Sequence, residues 1–146
     1  MLLIYHDPQI HKHLENNSVI PEMYCIPWFI TYFAARMASA DLVLEFWDRI
    51  MLHKAEGDVT FIFFFAVALV MHNRDMILKA DQADLPQTMT ELKVKDKEQL
   101  SKLIKLAGEI EENTPFSYKQ LDEVKGLFSK QSPENLKAIC LSLESL

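Results

Sequence analysis

The sequence predicts an all-α fold of about seven helices. Three observations point there. Apolar residues recur at three- and four-residue spacing through most of the chain. Helix-start signals, an Asp or Ser beside a Pro, stand at Asp7-Pro8 and at Ser132-Pro133. Only 3 Gly and 6 Pro are present, too few for the frequent turns that most β folds require.

Asp7 can cap free N–H groups and Pro8 suits a first helical position, so a helix is expected from Pro8 to Glu15, stopped by Asn16-Asn17-Ser18. The next spans Glu22 to Arg36. Pro27 removes a donor within it and predicts a break or kink near Tyr24–Ile26. Trp28, Phe29, Tyr32, Phe33 and Ala35 mark its buried face. Ser39 caps a third helix, Ala40 to His53, with a stripe of Leu42, Val43, Phe46, Trp47 and Ile50. Lys54-Ala55-Glu56-Gly57 is a turn, and Asp58 caps a central apolar helix that continues to Lys79.

From Ala80 to Lys95 the periodicity fails and a loop is expected. Asp96 and Gln99 resemble a capping box ahead of a helix from Lys97 to Glu112, with Leu100, Leu103, Ile104, Ala107 and Ile110 on one face. Asn113-Thr114-Pro115 stops it. Ser117 caps a short helix to Phe128. Ser132-Pro133-Glu134 starts the last, whose stripe is Leu136, Ile139, Cys140 and Leu143.

A length of 146 residues fits one domain, and 49% hydrophobic content supplies a core. Fifteen basic against 21 acidic residues give a net charge of −6, which opposes general nucleic-acid binding. Cys25 and Cys140 form no CxxC pair, as in a reduced cytosolic protein. The apolar run Val59–Met71 is 13 residues, short of the roughly 20 that span a bilayer, so no transmembrane segment is expected.

No complete reactive constellation emerges. His6, His11 and His13 are close in sequence, but His11 and His13 diverge on a helix, and a metal site would have to recruit His53 or His72. Asp41, Glu45 and Asp48 share a helical face and read as a solvated edge paired with Arg49 or Lys54 rather than as a general acid and base. Cys25 lacks a defined triad, and Cys140 reads as core. Three glycines cannot build a phosphate loop. No catalytic, cofactor-binding or metal residue and no cofactor is assigned. Trp28 and Trp47 are either partner hot spots or core. Their register favours core, so that Trp47→Ala should cost about 3–5 kcal/mol.

The order of four blocks carries further meaning. LLIYHDPQIHKHLENNSVIPEMY at 2–24 is followed by CIPWFITYFAARM at 25–37, LVLEFWDRIML at 42–52 and FIFFFAVALVMHNRDMIL at 61–78. Together they resemble the C-terminal half of a TBC domain, the helical GTPase-activating domain for Rab GTPases. ENTPFSY at 112–118 resembles the end of the domain in TBC–rhodanese proteins. The resemblance implies a C-terminal lobe over 1–80 and a helical tail over 81–146 that completes or extends it. It implies a Rab-family GTPase as partner, with the missing N-terminal lobe or a second copy of the chain as another, and a cytoplasmic protein peripheral to endosomal or Golgi membranes. The abrupt start Met1-Leu2-Leu3-Ile4-Tyr5 then reads as the interior of a domain helix.

In the family, an Arg in an IPxDxxR-type motif and a Gln in a YxQ motif serve as catalytic fingers, the Arg stabilising charge on the γ-phosphate. Both belong to the N-terminal half. Tyr118-Lys119-Gln120 spells YxQ but comes after the central helix, and Asp48-Arg49 belongs to the WD block. Neither takes a finger's role. Two functions remain: a lobe of a Rab GTPase activator, or a non-catalytic TBC-type adaptor in membrane traffic.

Overall fold

The computed structural model describes residues 2–53 and 60–115, without the side chains of Met51 and His53. The chain divides after Thr114 into two units. The α-helices of the first unit are α1 (Leu2–His6), α2 (Pro8–Asn16), α3 (Glu22–Ile30), α4 (Ala40–His53), α5 (Phe61–His72), α6 (Arg74–Lys79), α7 (Leu85–Glu91) and α8 (Lys97–Asn113), with a 3₁₀ turn at Ala34–Arg36. No strand occurs among the described residues; Met37 and Val94 form an isolated parallel bridge. The expected turn at 54–57, the Asp58 cap and both helices after Ser117 fall outside the described residues.

The core is built around α5. Nine of its 12 residues are buried, so it is apolar on every face and must be surrounded. α8 packs along it more extensively than any other pair of helices pack, presenting Leu100, Leu103, Ala107 and Ile110. On another side an aromatic cluster meets it. The Phe33 and Phe65 rings lie edge to face at 5.0 Å, Phe46 and Phe65 at 4.4 Å, and Phe29 and Phe63 at 5.0 Å. Such tilted pairs add roughly 0.5–1.5 kcal/mol each beyond their buried area.

The expected caps are present at both well-marked helix starts. Asp7 Oδ1 accepts from Ile10 N at 3.0 Å, opening α2. Asp96 Oδ1 accepts from Gln99 N at 2.8 Å, and Gln99 Oε1 reaches back to Lys95 N at 2.8 Å, one residue before the cap. Asp7 also ties α2 to α6, since Arg74 Nε donates to its Oδ2 at 2.9 Å.

Three expectations are corrected. The helix expected over Glu22–Arg36 does not break near Tyr24–Ile26. It runs through Pro27 to Ile30, losing one backbone bond, and ends in a tight cap at residues 31–33. Phe33 N donates to Trp28 O at 2.7 Å and Tyr32 N to Phe29 O at 3.1 Å, with Tyr32 left-handed at φ 45°. This is a Schellman closure, whose apolar contact is Phe33 against Trp28 at 6.0 Å. Burial of Phe33 rewards the reversal.

The central helix stops at His72 rather than Lys79. Asn73 Nδ2 donates to Leu69 O at 2.7 Å, a side chain competing for a helical carbonyl, and α6 restarts at Arg74 and buries Ile77.

The segment Ala80–Lys95 is not all loop. Asp81 Oδ1 accepts from Ala83 N and Asp84 N, and Leu85 then starts α7 with Pro86 in its first turn. Leu85, Met89, Leu92 and Val94 are buried. Val94 N donates to Arg36 O at 2.8 Å and Ala38 N to Val94 O at 2.9 Å, while the Arg36 guanidinium donates to Thr90 O. These bonds fasten the α7–α8 connection to the start of α4.

Candidate functional site

The buried arc of α4 runs through Leu42 and Phe46, with Val43 and Ile50 half-buried beside them. Trp47 is one residue, about 100° of rotation, away from Phe46. It therefore leaves the core, 40% exposed, and lies against the α3 terminus, where its Nε1–H donates to Tyr32 O at 3.0 Å. The expectation of a buried Trp47 is thus corrected; Trp28 is fully buried. The stripe keeps its helical register, but its buried arc is narrower than the spacing predicts.

Leu44 lies one turn before Trp47 on the same outward face, 59% exposed, and Leu52 is 84% exposed further along. Tyr32, just past the end of α3, borders the strip at Trp47. Tyr32 points outward because Phe33 is drawn in: the left-handed pair at φ 45° and 62° turns successive side chains to opposite sides. The result is an apolar surface without a reactive centre.

The three carboxylates of α4 separate into two environments. Glu45 Oε1 meets Arg49 at 2.6 Å and its Oε2 meets Lys97 at 3.1 Å, linking α4 to the start of α8. The Lys97 contact, then Arg49, holds the Glu45 carboxyl below the usual range. Arg49 also donates to Ser101 Oγ at 3.1 Å. Asp41 and Asp48 are exposed and pair with no basic group among the described residues. They flank Leu44 on the edge away from Trp47. Lys54 is outside the described residues.

The histidines go separate ways. His6 Nε2 bonds Thr114 Oγ1 at 2.8 Å, His13 Nε2 bonds Ala80 O at 3.1 Å, and His72 borders a shallow cleft with Lys95, Asp96, Glu98, Gln99 and Lys102. Two of that cleft's charges meet each other, Lys102 lying 2.7 Å from Glu98. Among the described residues no group of three or more His, Cys, Asp or Glu is placed to hold a metal. Burial pushes the Cys25 thiol up to about 12, far from the thiolate a nucleophile needs. Cys140, the His53 side chain and Tyr118-Lys119-Gln120 lie outside the described residues. Among those described, no helix is long and apolar enough to cross a membrane.

The model of the Rab-GTPase-TBC domain matches residues 1–78, from α1 through most of α6. The chain belongs to the Rab-GTPase-TBC domain family. It is 32% identical over 77 residues to a TBC domain-containing protein kinase-like protein of Homo sapiens, across 53% of this chain and 8% of that protein. A protein of the same description from Dictyostelium discoideum is 37% identical over 83 residues, across 57% of this chain and 8% of its own. The chain thus spans about a twelfth of the length of these relatives. They are TBC kinase-like proteins rather than TBC–rhodanese ones, which corrects the subgroup read from ENTPFSY. That stretch is short, and its last three residues lie outside the described residues. No solved structure matches.

Proposed function

We propose that this chain is the C-terminal lobe of a Rab GTPase-activating TBC domain, a lobe that supports and contacts rather than catalyses. The single observation that carries the reading is the family match over residues 1–78 in a chain without the IPxDxxR and upstream YxQ motifs. Its partners are a Rab-family GTPase and the N-terminal lobe that would bear the fingers, or a second copy of the chain. Its place is the cytoplasmic surface of endosomal or Golgi membranes, peripherally. Residues 1–80 form the lobe and 81–146 complete or extend it; the packing of α8 on α5 supports completion of the lobe by residues 97–113.

A second reading, a non-catalytic TBC adaptor, is favoured by the apolar strip along α4 beside two carboxylates that meet no cation among the described residues, a surface suited to docking. A partner N-terminal lobe bearing Arg and Gln in their motifs favours the activator, and one lacking them favours the adaptor.

The test is single-turnover GTP hydrolysis by a panel of Rab proteins with the 146-residue chain at high micromolar concentration. The expected rates are those of the GTPases alone, together with retention of at least one GTP-loaded Rab on the immobilised chain. Acceleration abolished by Gln120→Ala would return a catalytic role to that residue and defeat the proposal.

A further inference from the structure

The outward face of α4 combines two features that ordinary surface helices keep apart. Leu44 and Trp47 form an exposed apolar strip, widened by Tyr32 at the Trp47 side. Asp41 and Asp48 form an acidic rail along one side of it, seven residues and two turns apart, so they stand one above the other. The third acid of this helix, Glu45, is neutralised by Arg49 and Lys97, whereas Asp41 and Asp48 meet no cation among the described residues.

We propose that this face is a docking site for a basic amphipathic helix of a partner protein, whose apolar ridge packs on Leu44 and Trp47 while its Lys and Arg residues meet Asp41 and Asp48. Charge complementarity selects this occupant. A second copy of the chain, paired antiparallel about a two-fold axis, sets each helix edge against the same edge of its copy, so the acidic rails would repel. An anionic bilayer surface would repel them too. A helix carrying cations beside its apolar ridge satisfies both features. Trp47 is suited to anchor it: the Tyr32 carbonyl bond fixes its indole, so little side-chain freedom remains to be lost on binding. The inference stands apart from the GTPase reading, since a chain that binds no Rab still presents this face.

The experiment uses the 146-residue chain and a fluorescein-labelled helical peptide with leucines at i, i+3, i+4 and i+7 flanked by lysines. A second peptide has glutamates in place of the lysines. Anisotropy should report binding of the lysine peptide only, weakening about tenfold or more from low to high salt. Asp41→Lys with Asp48→Lys, and separately Trp47→Ala, should each weaken it about tenfold or more. Glu109→Lys with Glu112→Lys, an equal charge change at the far end of α8, should leave it within about twofold. Circular dichroism and thermal melting establish that each variant is folded. Equal binding of the two peptides, or equal effects of the two charge-swapped pairs, would overturn the proposal. So would a dimer dispersed by Trp47→Ala in light scattering, or Trp47-dependent binding to phosphatidylserine vesicles.

Discussion

At the scale of single residues, the two tryptophans divide the roles that their spacing suggests they share. Trp28 is enclosed among Tyr24 and Phe33, its indole N–H without a hydrogen-bond partner among the described residues, and Trp47 rests on the surface with its own N–H satisfied. Trp28→Ala should cost about 3–5 kcal/mol in urea denaturation, and Trp47→Ala no more than about 1–1.5, because two-fifths of Trp47 is already exposed and the rest lies at the rim rather than in the core. Equal costs would put Trp47 back in the core. His6 carries a pH dependence of a definite sign. The Thr114 hydroxyl donates to Ile110 O at 2.6 Å, so His6 Nε2 must be the donor in its bond to Thr114. Burial lowers the His6 pKa, so the folded state favours the neutral ring. Its contribution is complete above the unfolded value near 6.5 and is lost as pH falls toward and through the lower folded value. Melting temperature should therefore drop less between about pH 7 and 5 in His6→Gln than in the parent.

At the scale of elements, the chain shows how a glycine-poor sequence still closes its helices. α2 ends as α3 does: Val19 N donates to Leu14 O at 2.9 Å and Ser18 N to Glu15 O at 3.0 Å, with Ser18 at φ 59° and both apolar partners buried. Ser and Tyr occupy positions where Gly is the usual residue, at a conformational cost of about 1–2 kcal/mol each. Exposed Ser18 is the cleaner site to relieve, and Ser18→Gly should raise stability by about 0.5–1 kcal/mol. The reverse exchange, Gly108→Ala in mid-α8, should do the same, since a Cβ there meets nothing within 4 Å. Chemical denaturation of each variant checks both; destabilisation at either site would contradict the backbone geometry.

These elements also show how far the sequence alone is legible. α2, α4 and α8 can be read from it because a cap residue coincides with the onset of a 3.6-residue stripe. α7 cannot, although Leu85, Met89 and Leu92 keep i, i+4 and i+7 spacing, because Asp84, Pro86 and Thr88 carry turn propensity that only burial overrides. The end of α3 is hidden for a related reason. Pro27 announces a local defect, whereas the reversal at Tyr32 is driven by Phe33 meeting Phe46 and Phe65 from distant segments. The exposed strip of α4 is illegible in principle, since periodicity says which residues share a face but not how wide the covering core will be.

At the scale of the whole molecule, the expected outcome of the GTPase assay follows from the proposed reading of the chain as a lobe that supports and contacts. The described residues bring no nucleophile, metal cluster or aligned acid–base pair together. They offer instead a rigid aromatic core and one outward face with uncompensated charge. A lobe of this kind would act through what it holds in place, and its loss of function would be expected through unfolding or through that face.

The wrapping of α5 by α8 has one consequence beyond packing. The family-model match ends at residue 78, but Leu100, Leu103 and Ala107, beyond it, shield the helix at the heart of the matched part. The segment shared by descent is therefore shorter than the segment that must melt together. Amide protons of α5 and α8 would exchange with solvent as one cooperative block, and the genealogical edge of the domain leaves no trace in its thermodynamics.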